Sequence, residues 1–293
     1  MALSIFTSGA AMSSTNALNK SNSILSTAME RLGTGKRINS AADDAAGLQI
    51  ATRLQGQVNG MSVAQRNVSD ATAMLQTAEG AFDEVTNILY RVKDLATQAA
   101  NDTNGTNERT AIGAEVNELV KELGNIMGNT SYAGENLFAA NGTAFTAAGK
   151  FSVAAGMNFQ IGASKDEKLT LNVATQLGDV MTKLSAVGNP GTPATDVTDA
   201  TKAGTLLTNV GAALDSVGTM RSSLGANINR LGHTSANLAN MKDNTTLALG
   251  NIRDADFASE ATNMTRNQML AQTSMSMLKQ ANSMSGMVMS LLG

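Results

Sequence analysis

The chain carries one histidine, His233, and no cysteine, and these two counts limit its side-chain chemistry before anything else does. A zinc centre needs several His or Cys ligands, and a nucleophilic relay needs a histidine beside a Ser and an Asp. A single helical His between Gly232 and Thr234 supplies neither, so it reads as a surface residue. The nearest approach to paired carboxylates is Asp43-Asp44 and Asp254-Ala255-Asp256. Alternate acids can open a cation loop, but no further oxygen ligands follow at the spacing such a loop requires. Acids just ahead of a helical stretch are better expected as caps and as partners of the positive helix end. No glycine pattern opens a helix in the way a phosphate loop demands. The expectation is a protein that is not an enzyme, with no catalytic residue, no cofactor and no metal.

Composition narrows the class further. Aromatics are 3% of 293 residues and Trp is absent, which argues against a thick globular core. Charged residues are 15% and the net charge is −3, so neither a nucleic-acid footprint nor a polybasic membrane surface is expected. The opening residues have no basic start and no long apolar run, as a cleaved secretory signal would, and no stretch approaches the roughly 20 apolar residues that span a bilayer.

The remaining signal is helical periodicity. Leu54, Met61, Val68, Leu75, Phe82, Leu89 and Ala96 stand seven apart, with Gln57, Ala64, Ala71, Ala78, Val85, Val92 and Ala99 on a companion series. A heptad held this long predicts a helix lying along another helix, and its small side chains allow close approach. Running from about Ala41 to Ala100, it would be a rod on the order of 85 Å long. Val210, Val217, Leu224, Leu231, Leu238, Thr245 and Ile252, with Ala213, Met220, Met241 and Ala248, form the expected partner. Leu18, Leu25 and Leu32 predict an earlier amphipathic helix that breaks near Gly33–Gly35. Beyond the turn-rich Asn101–Asn107, a shorter helix places Ile112, Val116, Leu119, Leu123 and Ile126 on one stripe. A final helix from about Asp254 carries Phe257, Met264, Ala271 and Leu278 on one series and Leu270, Met277, Met284 and Leu291 on another. Between these, alternation at Phe151 and Val153, Phe159 and Ile161, then Leu169, Leu171 and Val173 predicts a small β region, and the proline-containing run Gly188–Thr201 an exposed loop. Terminal helices that are apolar on one face and cannot bury that face alone predict a subunit that orders against copies of itself.

Long strings then carry a resemblance. ILSTAMERLGTGKRINSAADDAAGLQIATRL (Ile24–Leu54), QTAEGAFDEVTNILYRVKDLATQAANDTN (Gln76–Asn104) and the segment Glu115–Leu137 closely resemble the N-terminal signature of bacterial flagellins. RSSLGANINRL (Arg221–Leu231), NIRDADFASEATNM (Asn251–Met264) and VMSLLG (Val288–Gly293) resemble the C-terminal one, leaving only about Asn141–Thr201 without a counterpart.

The resemblance implies a mainly α fold: an elongated, discontinuous helical bundle or coiled coil built by the N- and C-terminal segments, with a small β-rich middle. It implies an inner coiled-coil filament core from residues 1–40 with 251–293. It implies a helical rod from 41–178 with 203–250, a β-hairpin region near 136–175, and an exposed loop at 179–202 as the remnant of an outer domain. Inner-core assembly would fall to Leu18, Leu25, Leu32, Phe257, Met264, Leu270, Met277, Leu278, Met284, Leu291 and Leu292. The implied role is the structural subunit of the flagellar filament, extracellular and exported through a type III channel without a cleaved signal. Its partners would be itself in many copies, an export chaperone, and cap and hook-junction proteins, with no nucleic acid and no membrane. Arg91, Leu95 and Glu115 match the positions read by the vertebrate Toll-like flagellin receptor, an exposed helix face also expected in filament contacts, and Leu291-Leu292 resembles a motif read by cytosolic inflammasome receptors. Ser283-Met284-Ser285 stands where the family often has a proline-containing stretch, a departure that fits a lateral-type subunit. The alternatives are a hook–filament junction protein of the same family and an enzyme embedded in the variable middle.

Overall fold

The structure is a computed structural model that describes residues 9–138, 145–191 and 197–292; the side chains of 285, 286 and 288–292 lie outside that description. In chain order it contains α1 (Gly9–Thr34), α2 (Ala45–Ala99), α3 (Thr106–Asn129), β1 (Ser131–Tyr132), β2 (Glu135–Asn136), a 3₁₀ turn (Lys150–Ser152), β3 (Met157–Gln160), β4 (Lys168–Leu171), α4 (Ala174–Val187), α5 (Ala200–Arg253) and α6 (Phe257–Leu292). The chain separates into two compact units, one of residues 1–58 with 243–293 and one of 59–242. Both boundaries fall inside long helices, α2 and α5, and not at their ends.

In the unit of residues 59–242, the predicted heptad is the core. Met61, Ala64, Val68, Ala71, Leu75, Ala78, Phe82, Val85, Leu89, Val92, Ala96 and Ala99 are all buried. Leu54 and Gln57, which begin the two series, are half-buried and exposed, and both lie before the boundary at residue 58. The α5 series behaves in the same way: Val210, Val217, Leu224, Leu231 and Leu238 are buried, whereas Met241 and Ala248 are exposed. The unbroken buried series thus begins at Met61 on α2 and ends at Leu238 on α5, just inside the unit. Arg221 on α5 reaches Asp83 at 3.0 Å and Glu79 at 3.6 Å on α2, which fixes the two helices in register. On α3 the buried stripe is Ile112, Val116, Val120, Leu123 and Met127; Leu119 and Ile126, expected on it, are half-buried at its edge. Arg109 closes the α2–α3 turn by donating to the carbonyl of Ala99 (2.9 Å), which the end of α2 leaves without an intrahelical partner, and to that of Asn101 (3.1 Å) in the turn.

The β region is smaller than alternation alone suggests. β1 and β2 flank a two-residue turn in which Ala133 (φ 52°) and Gly134 (φ 83°) both take the left-handed conformation of a type I′ hairpin. β3 and β4 pair antiparallel with Phe159 opposite Leu169. This hairpin lies on α2: Asn67 donates to the Gln160 carbonyl at 3.1 Å, and a Cβ at Gly60 would come within 2.6 Å of the Ala163 Cβ. Phe151 is buried in the 3₁₀ turn and Val153 is exposed, so neither belongs to a strand. Phe82, Phe138 and Phe151 form a chain of tilted rings 4.8 and 5.8 Å apart that anchors this region on α2. Residues 179–187, expected to begin the exposed loop, instead complete α4. The reason is an apolar stripe at helical spacing, Leu177, Val180, Met181, Leu184 and Val187, all of it buried. Of the remaining loop, residues 192–196 lie outside the described residues, and Val197 beyond them is buried.

In the other unit, α1 packs against α6. The last turn of α1 meets the first turn of α6 through Arg31 and Glu260, so the two run antiparallel.

Candidate assembly interface

The α1–α6 pair is a two-helix coiled coil with a seam of small side chains. Reading α1 by heptads, Leu18, Leu25 and Leu32 occupy one seam position and Ser21 and Ala28 the other. On α6 the equivalent sets are Met264, Ala271 and Leu278, and Asn267, Ser274 and Ala281. Ser21, Ala28, Asn267, Ala271 and Ala281 are buried, while Leu18, Leu25, Leu32, Met264 and Leu278 are half-buried along the edges. Small central residues bring the axes close, and the larger ones close over them without leaving water entirely. Asn267 meets its own polar requirement inside the helix by donating to the Asn263 carbonyl at 2.8 Å.

The second series of α6 is not in that seam. In it Met277 is 59% exposed, Met284 53% and Leu270 47%, and Phe257, which opens the first series, is 67% exposed. Within the single chain α1 contacts only one sector of α6, and these residues, expected in inner-core assembly, are left uncovered by it. Leu291 and Leu292 lie outside the described side chains. Met269 and Met275 add to the exposed apolar surface, as do Met12 and Met29 on α1. Large apolar side chains left exposed on a helix that already has one packed face mark a surface that further protein can cover.

The two segments that lead into this pair are tied to each other. α1 stops at Gly35 (φ 69°), whose N–H reaches the Arg31 carbonyl at 2.8 Å, a left-handed cap open to glycine at little cost. Lys36 and Asp254 then form an isolated antiparallel bridge. The Arg37 N–H donates to the Arg253 carbonyl at 2.6 Å, the Ala255 N–H to the Gly35 carbonyl at 3.0 Å, and the Arg37 guanidinium to the Ile252 carbonyl at 2.8 Å. Arg31 donates to Glu260 at 3.0 Å with both side chains largely covered, and Arg253 donates to Gln55 at 3.3 Å. These contacts make one crossing of the linkers α1–α2 and α5–α6.

The acidic pairs act here as caps. Asp44 accepts the Gly47 N–H at 2.8 Å at the start of α2, and Asp256 accepts the Ala258 N–H at 3.0 Å at the start of α6. Asp43 accepts the N–H groups of Ser40 (2.9 Å) and Asn39 (3.1 Å) and the Ser40 hydroxyl (3.1 Å). The Ser40 and Asn39 amides, in that order, hold its carboxyl below the usual carboxylate value although it is fully exposed. Among the described residues, no group of three or more His, Cys, Asp or Glu could hold a metal ion. His233 is exposed on α5.

The structure separates the trio Arg91, Leu95 and Glu115. Arg91 and Glu115 form an exposed pair between α2 and α3, with guanidinium nitrogens 2.6 and 3.0 Å from the same carboxylate oxygen. Leu95 is only 3% exposed, so it is not on the outward face where it was expected. Its neighbour Ala96 is on the heptad seam, and a residue one step from a seam faces the core once a third helix covers α2. Arg109, Arg221 and the Arg37–Arg253 crossing were not anticipated from the sequence, because arginine bonds to carbonyls leave no periodic signal.

Comparison with known proteins gives concordant matches. The family description "Bacterial flagellin N-terminal helical region" matches residues 5–143, and "Bacterial flagellin C-terminal helical region" matches residues 207–292. The chain is 34% identical to flagellin A of Vibrio anguillarum over 378 aligned positions, covering all of both chains. That alignment is longer than 293 residues, so the relative carries insertions that this chain lacks. It is 38% identical to a flagellin of Halalkalibacterium halodurans over 266 positions, covering 90% of each. A flagellar hook-associated protein structure from Vibrio parahaemolyticus shares the fold at TM-score 0.53 and 13% identity, over 72% of this chain and all of that one.

Proposed function

This chain belongs to the bacterial flagellin family, and from that premise we infer how it polymerises as a structural subunit of the flagellar filament. The observation that carries the inference is the outer surface of α6, where Phe257, Leu270, Met277 and Met284 are exposed although α1 already occupies the helix's other side. Full burial of such a side chain from water is worth about 1.5–3 kcal/mol, and these, partly covered already, would gain about half of that. In a filament, copies of the same pair would supply that burial. The innermost layer would then be residues 1–40 with 251–293, and the next shell 41–178 with 203–250. The crossing of linkers at Lys36 and Asp254 would hold the two layers' chain segments together during assembly.

The subunit acts outside the cell after export as an unfolded chain through a type III channel, helped by an export chaperone and received by cap and hook-junction proteins. No helix among the described residues is long and apolar enough to cross a membrane. The Toll-like flagellin receptor would read Arg91 and Glu115 directly, with Leu95 shaping the surface from beneath.

The test is seeded elongation followed by electron microscopy. The full chain is expected to extend filaments by itself, and the chain lacking Asn251–Gly293 to add nothing while keeping the helical signal of the remainder. Normal filaments from the truncation would remove the inner-layer assignment. A full chain unable to extend any seed would favour a junction protein.

A further inference from the structure

We propose that Met269, Met275, Met277 and Met284 of α6 are oxidation sites: conversion of these thioethers to sulfoxides slows the subunit's addition to a growing filament. The four side chains are 46–60% exposed, on a helix with one partner. Met61, Met74, Met127, Met181 and Met220, in the other unit, are at most 6% exposed, so these five sulfurs are protected, whereas Met241 near that unit's edge is exposed. The chain has no cysteine, and no thiolate competes for an oxidant. Methionine is therefore its reactive sulfur, and among the described residues its exposed members are Met269, Met275, Met277, Met284 and Met287 on α6, Met12 and Met29 on α1 and Met241 on α5.

The chemistry needs a peroxide as co-reactant. A sulfur lone pair attacks one peroxide oxygen, the S–O bond forms as the O–O bond breaks, and water leaves after proton transfer. Sulfur loses two electrons and the peroxide gains them. The product is polar where the thioether was apolar and adaptable. An S=O group covered without a hydrogen-bond donor carries the penalty of any buried unpaired polar group. Several together are expected to slow subunit addition about tenfold or more. The inference rests on the reading that α6 is covered in the filament. It adds an asymmetry: the unassembled subunit is sensitive, and the assembled one is shielded.

The experiment treats purified full-length monomer with hydrogen peroxide, maps sulfoxides by peptide mass spectrometry, and follows elongation on untreated seeds. The four α6 methionines are expected to oxidise well ahead of the five buried ones, elongation to fall about tenfold, and methionine sulfoxide reductase to restore it. The variant Met269→Leu/Met275→Leu/Met277→Leu/Met284→Leu keeps apolar volume, retains the exposed Met12, Met29 and Met287, and should lose much less of its elongation rate to peroxide than wild type. Should that variant not elongate at all, Met277→Leu/Met284→Leu makes the same comparison, with a smaller peroxide effect than wild type as the expected result. Undiminished elongation by monomer bearing the four sulfoxides would overturn the proposal. So would equal peroxide sensitivity in wild type and the Leu variants, which would place the effect at other methionines. Oxidising preformed filaments separates the two claims: equal reactivity of the four methionines in filament and monomer would overturn the covered-α6 reading itself.

Discussion

Single residues set the local geometry here, and two of them give direct tests. Asp43 takes three hydrogen bonds in the linker before α2, and its lowered pKa means that the folded state favours the ionised carboxylate. The contribution is fully present above the unfolded value of about 3.9 and is lost as pH falls through the lower folded value. Asp43→Ala should therefore melt below wild type at neutral pH, with the gap closing as pH drops under about 3.9, as thermal melts across pH would record. Ala133 sits at φ 52° in a turn that prefers Asn followed by Gly. A Cβ residue in that conformation costs about 1–2 kcal/mol, and Asn tolerates it better. Ala133→Asn should raise stability in urea titration by about 0.5–1 kcal/mol. Neither effect is periodic. The turn-forming potential of Gly134 and the cap at Asp44 are legible from residue type, but the strained Ala133 is not, because nothing in an Ala side chain announces a left-handed backbone.

At the scale of elements, the heptad seam of α2 and α5 was legible because every turn repeats the same constraint. Its limits were not. The side chains at Leu54, Gln57, Met241 and Ala248 continue the seven-residue spacing but are not buried. Spacing records which face could be apolar; what covers that face depends on a helix elsewhere in the chain. Leu95 makes the same point in reverse, since its burial comes from packing around α2 and not from its heptad position. The aromatic chain Phe82–Phe138–Phe151 joins three segments that no local pattern connects. Phe82→Ala should cost about 3–5 kcal/mol, the usual penalty for emptying a fully buried ring, and guanidinium unfolding should register it with the m-value unchanged. α4 was missed because its buried stripe lies beside the proline-containing loop, and the loop's composition outweighed a short helical period.

For the whole molecule, the terminal pair is the part whose stability is deferred. Its seam buries Ser21, Ala28, Asn267, Ala271 and Ala281, side chains too small to contribute what the Leu and Val seam of α2 contributes. Far-UV circular dichroism should gain helical signal when monomer is seeded into filaments, since α1 and α6 then acquire partners; an unchanged signal would mean that the pair is already fully ordered alone. The amino-acid sequence by itself determined the helical class, the long seam, the caps and, through extended strings, the family. These are local or repeated properties, written into each turn by side-chain size and polarity. The tertiary structure decided where the seam stops, which members of the Arg91, Leu95 and Glu115 trio reach the surface, how the linkers cross at Lys36 and Asp254, and which face of α6 is left uncovered. Those depend on contacts between residues far apart in the chain, where burial is fixed by whichever surface arrives and not by the residue that receives it.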